Sequence, residues 1–71
     1  MRTGAKNLWR VVYVPHSQQM MEAVERMLTE EGILVRRQML HWSVSGAEMF
    51  ELCVLDSEAQ EARQLILEHG Y

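Results

Sequence analysis

A change of hydrophobic periodicity at Pro15 is the feature that most restricts how this chain can fold. Residues 9–14 are dense in β-branched and aromatic side chains, which predicts a strand, and a proline suits its end because proline has no N–H to donate. Directly afterwards the apolar residues recur with helical spacing, which predicts an amphipathic helix over residues 18–31. Ser17 suits the N-cap of this helix, and Gly32 suits the left-handed position after its end.

Two further β-type segments follow the helix. Residues 33–42 and 49–55 are rich in strand-forming side chains, and residues 43–46 between them supply turn chemistry. A connection this short permits only antiparallel pairing, so the two segments predict a hairpin. Two possibilities stay open for the face of the second strand that is turned towards the helices. One face carries Ile33, Val35 and Met39, and the other carries Leu34, Leu40 and Trp42.

A second helix is predicted after the hairpin. Ser57 and Gln60 have the spacing of a capping box, and acidic residues lie in the first turn. Gly70 is placed to end the helix. The apolar stripe consists of Ala59, Ala62, Leu65 and Ile66.

The order strand, helix, strand, strand, helix predicts an α+β domain. A right-handed crossover from the first strand to the second puts the third strand between them, which gives the sheet order 1-3-2. Both helices then cover one face of a three-stranded sheet, as in a ferredoxin-like βαββα fold that lacks its fourth strand. Residues 1–8 are polar and aperiodic, which predicts a flexible N-terminal tail and a single domain over residues 9–71.

The other face of the predicted sheet has no helix to cover it. Strict alternation places five residues on this face: Trp9, Val11, Tyr13, Cys53 and Leu55. Their apolar character predicts an interface with a second copy of the chain or with another partner. The chain has 71 residues and one cysteine, so its core is small, no internal disulfide can form, and we expect a homo-oligomer, most simply a homodimer. The alternative is a monomer in which the tail or a β-bulge covers part of the patch.

Charge and hydropathy exclude several classes of partner. The formal charge is −3, and Arg36 and Arg37 form the only adjacent basic pair, so we expect no nucleic-acid binding. A competing hypothesis is that Trp9, Tyr13 and Trp42 stack single-stranded bases beside these arginines. No apolar run has the length of a membrane span or the form of a secretory signal, and one unpaired cysteine suits a reducing compartment. We therefore expect a cytoplasmic protein.

The sequence contains no recognisable catalytic or metal-binding set. Cys53 lies in an apolar strand, which indicates a buried structural thiol, and pairing it with His41 would supply two zinc ligands where three or four are needed. His16 follows the first strand in a position where loops often bind ligands, and its alternative interpretation is a residue that only precedes a helix cap. We expect no enzyme, metal or cofactor, but a regulatory or interaction module. The alternative is a small oligomeric enzyme or metal-binding protein with a site at a subunit interface, to which His16, His41 or Cys53 contributes.

A family resemblance rests on several short motifs in order. They are Val12-Tyr13-Val14-Pro15, Glu22-Ala23 with Leu28, Glu31-Gly32-Ile33, Val54, residues 57–62, and Leu65-Ile66. Together they cover most of residues 9–67, and the sequence resembles the small prokaryotic signal-transducing domains of the DUF2007 family. The resemblance implies a bacterial regulatory protein with a βαββα relative of the nitrogen-regulatory PII fold, and no catalytic residues. The chain departs from the family pattern at Leu55, where proline is frequent, and at His16, where a small polar residue is frequent.

Overall fold

The computed structural model describes residues 8–39 and 50–71 as a three-stranded sheet with two α-helices. The strands are β1 (Trp9–Tyr13), β2 (Val35–Met39) and β3 (Phe50–Leu55), and the helices are α1 (Gln18–Glu30) and α2 (Ala59–Glu68). β3 lies between β1 and β2 and pairs antiparallel with both, which confirms the predicted α+β fold and the sheet order 1-3-2. Of the predicted tail, residues 1–8, only Leu8 is described; residues 1–7 and the predicted strand and turn residues 40–49 lie outside the described residues.

The core lies between the two helices and one face of the sheet. Leu52 and Val54 of β3 are fully buried there, together with Val24 and Leu28 of α1 and Ala62 of α2. Because both helices pack on the same residues of β3, the prediction that they share one face is confirmed.

The register of β2 decides which of its two faces is turned towards the helices. Val35 lies opposite Val54 and packs on the core, and Ile33 just before the strand is buried. Leu34, between them, is 61% exposed. The face that includes Ile33 and Val35 is therefore the one beneath the helices, while Leu40 and Trp42 of the other set lie outside the described residues.

A β-bulge in β1 changes the face on which Tyr13 lies. Val11 is opposite Cys53 and Tyr13 is opposite Leu52, so two steps along β1 match one step along β3, and Val12 is the extra residue. Strict alternation was therefore the wrong basis for placing Tyr13 on the face of the sheet without helices. After the bulge this side chain points to the helix side, where it packs on the core.

The ends of α1 follow the predicted capping chemistry. The Ser17 hydroxyl accepts a hydrogen bond from the Met20 N–H at 3.1 Å. At the other end Gly32 has φ of +88°, and the Ile33 N–H donates to the Leu28 carbonyl at 3.0 Å. This is the Schellman arrangement, in which a left-handed residue reverses the chain and satisfies carbonyls of the last turn.

Substitution of Gly32 by alanine should therefore destabilise the domain through its backbone alone. A Cβ atom at this position would meet nothing within 4 Å, so packing is not affected. The left-handed conformation costs an L-residue about 1 to 2 kcal/mol, and we expect a loss of that size in the free energy of unfolding measured with urea. Gly32→Asn should lose less, because asparagine tolerates this conformation, and Glu31→Ala is the control for an ordinary cap position. Equal losses in all three variants would contradict the explanation.

The start of α2 differs from its prediction. A short 3-10 helix, Asp56–Glu58, leads into α2. No side-chain hydrogen bond caps the 3-10 helix or α2. The Asp56 N–H still bonds to the Leu8 carbonyl at 2.8 Å, so pairing with β1 continues up to the first residue of the turn. Ser57 then lies inside the 3-10 helix instead of in the extended conformation of an N-cap, and the predicted capping box with Gln60 is wrong.

The end of α2 repeats the end of α1. Gly70 has φ of +82°, and the Tyr71 N–H donates to the Ile66 carbonyl at 3.0 Å. The prediction that Gly70 ends this helix is confirmed. Within residues 8–39 and 50–71, neither helix has the length and apolar character needed to cross a bilayer.

Candidate functional site

The candidate site is the face of the sheet opposite the helices, called the open face from here on. In the register, Trp9 lies opposite Leu55, Cys53 lies between Val11 and Arg36, and Gln38 lies opposite Glu51. Four of the five residues predicted for an interface, Trp9, Val11, Cys53 and Leu55, therefore share this face. Tyr13 is the exception, because of the bulge.

A cation–π pair spans the open face. The guanidinium carbon of Arg36 is 5.4 Å from the centre of the Trp9 ring, within the range of a cation–π interaction. Arg36 is in β2 and Trp9 is in β1, and two strands separated by a third are about 10 Å apart. The pair must therefore reach across the central strand β3, over the region of Cys53 and Leu55.

Cys53 is buried in the central strand, on the face that this pair spans. Its residue surface is 1% exposed, although it lies on the face away from the helical core, and its thiol donates to the Gln38 amide oxygen at 3.6 Å. Burial raises the pKa of the Cys53 thiol, Glu51 raises it further, and Arg36 opposes the shift. A buried thiol that resists ionisation is a poor nucleophile, so the interpretation of Cys53 as structural agrees with its environment.

The open face has an apolar end and a polar end. Trp9 and Leu55 are opposite each other, and continuing the β2 register by one residue brings Leu34 beside Leu55. These three residues are called the apolar row. Leu34 is 61% exposed, and the neighbouring Val11 is 37% exposed. The opposite end of the face carries the polar residues Gln38 and Glu51.

The structure does not assemble the alternative metal or catalytic site from the residues it describes. His16 is exposed in the bend between β1 and α1, and Cys53 is enclosed in the sheet. In the described part of the chain, no three His, Cys, Asp or Glu side chains come together as metal ligands would. His41 lies outside that part.

The residues of the hypothetical base-stacking platform are divided between the two faces. Arg37 lies on the helix side opposite Leu52 and forms an ion pair with Glu25 of α1 at 2.7 Å. This contact raises the pKa of Arg37. Tyr13 is also on the helix side, and Trp42 lies outside the described residues. Trp9 and Arg36 remain on the open face, where they interact with each other.

The two edges of the sheet are protected to different degrees. β1 contains the bulge, Pro15 follows shortly after it, and Arg63 of α2 donates to the Val11 carbonyl at 3.4 Å. β2 pairs with β3 through five consecutive residues without a bulge. The sequence alone could not reveal the Arg63 contact, because the two residues are 52 positions apart.

The chain has no match among the known proteins compared with it. No protein-family model, curated protein or solved structure is significantly similar to it. The resemblance to the DUF2007 family therefore stays a prediction based on the motifs that carry it.

Proposed function

We propose that this protein is a non-enzymatic regulatory or interaction module that self-associates through its open face. The observation that carries this proposal is the apolar row of Trp9, Leu55 and Leu34, which lies on the side of the sheet without helices. Large apolar side chains on an exposed face are typical of binding surfaces. A role in the reducing cytoplasm fits the single free thiol of Cys53.

A second copy of the chain is the occupant that fits this surface. A two-fold axis through the apolar row would place the two rows against each other, since such an axis joins one patch to itself. Gln38 and Glu51 of each copy would then lie at the rim, in keeping with the usual apolar centre and polar border of an interface. A chain of 71 residues also gains stability when a partner covers apolar surface that its own core cannot.

Sedimentation velocity over a concentration series tests the proposal, with Leu34→Glu as the critical variant. Leu34 is already 61% exposed, so the substitution should leave the fold intact. In a two-fold dimer it brings two carboxylates into the apolar interface, and we expect the dissociation constant to rise at least about tenfold, which equals about 1.4 kcal/mol.

Leu67→Glu is the matched control, because Leu67 is 78% exposed on α2, on the helix side of the sheet. It should associate as the wild type does. A wild-type protein that stays monomeric at every concentration would overturn the proposal. Equal weakening by the two substitutions would also contradict it, since the effect would then come from charge and not from the open face.

A further inference from the structure

The outer edge of β2 has the features of a strand-binding site that β1 lacks. In β1 the bulge interrupts the regular spacing of backbone groups, and Arg63 occupies the Val11 carbonyl. In β2 the register with β3 runs unbroken from Val35 to Met39. Within residues 8–39 and 50–71, β3 is the only strand paired with β2, so its outer N–H and C=O groups form a regular row.

The two arginines of β2 lean over the sheet and do not cover this edge. The Arg36 guanidinium reaches inward across β3 to Trp9 on the open face. On the helix side, Arg37 donates from both Nε and Nη2 to one carboxylate oxygen of Glu25, at 3.1 and 2.7 Å. Natural edge strands are commonly protected by charged side chains that block the approach of another strand. Here the charges lie on the two faces of the sheet, and no described residue outside β3 pairs with the backbone of β2.

A second copy of β2 is a poor occupant for this edge. The strand contains two arginines and no acidic residue, so pairing with itself never places a carboxylate opposite an arginine. A symmetric pairing centred on Arg36 or on Arg37 would place that arginine opposite its own copy, and like charges directly opposite destabilise a sheet. The charges of β2 therefore favour a different, acidic partner.

We propose that the edge of β2 binds an extended acidic segment of another protein by antiparallel strand addition. Backbone hydrogen bonds to β2 supply the affinity in this mode, and the cross-strand side chains supply the selectivity. Consecutive acidic residues would lie opposite Arg37 and Arg36, one on each face of the sheet. The guanidinium of Arg37 has N–H donors beyond those that bond to Glu25, so it can also donate to a second carboxylate. Apolar residues would lie opposite Val35 and Met39.

The test uses a blocked peptide, Ile-Thr-Glu-Glu-Val, whose order matches β2 read in the antiparallel direction. It is titrated at low salt into the uniformly ¹⁵N-labelled full chain, and amide chemical shifts are followed. We expect saturable shifts that are concentrated in β2. Two control peptides should each bind at least about tenfold more weakly. N-methylation of the backbone amides removes the backbone hydrogen bonds to β2. Lysines in place of the two glutamates remove the pairing with Arg36 and Arg37.

Protein variants separate this edge from other basic positions. Arg36→Gln combined with Arg37→Gln should weaken binding of the acidic peptide, while Arg10→Gln in β1, which removes an exposed arginine paired with Asp56, should leave it unchanged. Three results would overturn the inference: no saturable shift, shifts centred on β1, or equal binding of the N-methylated or lysine peptide. If the β2 amides shift with protein concentration alone, a second copy occupies the edge and the inference is wrong. The Leu34→Glu sedimentation test addresses the open face separately, so either proposal can fail without the other.

Discussion

Leu28→Ala is expected to remove a large part of the stability of this domain. Leu28 is fully buried between α1 and the sheet. Truncating such a leucine removes apolar burial and leaves a cavity, which costs about 3 to 5 kcal/mol. At roughly 0.05 to 0.15 kcal/mol per residue, a domain of 71 residues has a free energy of unfolding of about 4 to 10 kcal/mol. The variant should therefore be marginally folded at 25 °C.

Urea unfolding followed by circular dichroism measures this loss, and Leu67→Ala is the matched control. Leu67 is also a helical leucine, but it is 78% exposed, and alanine is at least as good a helix former. We expect its midpoint to change little. If Leu28→Ala unfolds at the same urea concentration as wild type, the core described between α1 and β3 is incorrect.

The second large effect concerns the reactivity of Cys53. We expect iodoacetamide to modify this thiol about 100 to 1,000 times more slowly in the folded protein than in urea, since labelling requires an opening that costs roughly 3 to 4 kcal/mol. Cys53 is 1% exposed on the face that the Arg36–Trp9 pair spans, and its raised pKa leaves less of the reactive thiolate at neutral pH. Mass spectrometry at timed intervals gives both rates.

Alanine variants of two neighbouring arginines test whether the Arg36–Trp9 pair shields Cys53. Arg36→Ala removes the side chain that spans the open face, so labelling should accelerate at least about tenfold, which corresponds to about 1.4 kcal/mol of protection. Arg37→Ala removes a side chain on the helix side and should leave the rate near that of wild type. Equal rates in the two variants would show that the Arg36–Trp9 pair does not shield the thiol.

The same thiol gives a pH dependence with a defined sign. The pKa of Cys53 in the folded state lies above the ordinary thiol value. At a pH below the ordinary value the thiol is protonated in both the folded and the unfolded chain, so its ionisation does not lower the free energy of unfolding. Once the pH rises above the ordinary thiol pKa of about 8.5, the unfolded chain ionises first and the stability falls. Replacement of Cys53 by alanine should remove this part of the fall in the free energy of unfolding at alkaline pH.

Local patterns were sufficient to predict the order of elements and the ends of α1. The switch of periodicity at Pro15, the hydroxyl of Ser17 and the left-handed Gly32 all act within a few residues of where they stand, so the sequence displays them directly. The strand order followed from the handedness of the crossover. Ser57 shows the limit of such patterns. Its spacing to Gln60 is correct for a capping box, but pairing with β1 continues to Asp56, where the 3-10 helix begins, so Ser57 is not extended as a cap residue must be.

The open face could be predicted only in part, because its details depend on register. Alternation identified Trp9, Val11, Cys53 and Leu55 correctly as sharing one side, since β3 is regular. It could not place Arg36 over Trp9, because that contact joins two strands that are not neighbours and depends on the register of each of them against β3. The contact between Arg63 and the Val11 carbonyl likewise depends on how α2 lies over β1.

The bulge at Val12 allows the short strand β1 to place one aromatic side chain on each face of the sheet. If residues 9–13 alternated regularly, Trp9 and Tyr13, four positions apart, would be in phase, and both rings would lie on the same side of the sheet. The insertion shifts the phase of alternation by one residue, so Trp9 joins Arg36 above the central strand while Tyr13 fills space against the core. Deleting Val12 would restore a regular ladder in which the Tyr13 ring still lies opposite Leu52 on the helix side, whereas regular pairing with Val12 retained would move the ring to the open face. In a chain with five aromatic residues, a single backbone irregularity thus divides two of them between the buried core and the open face of the sheet.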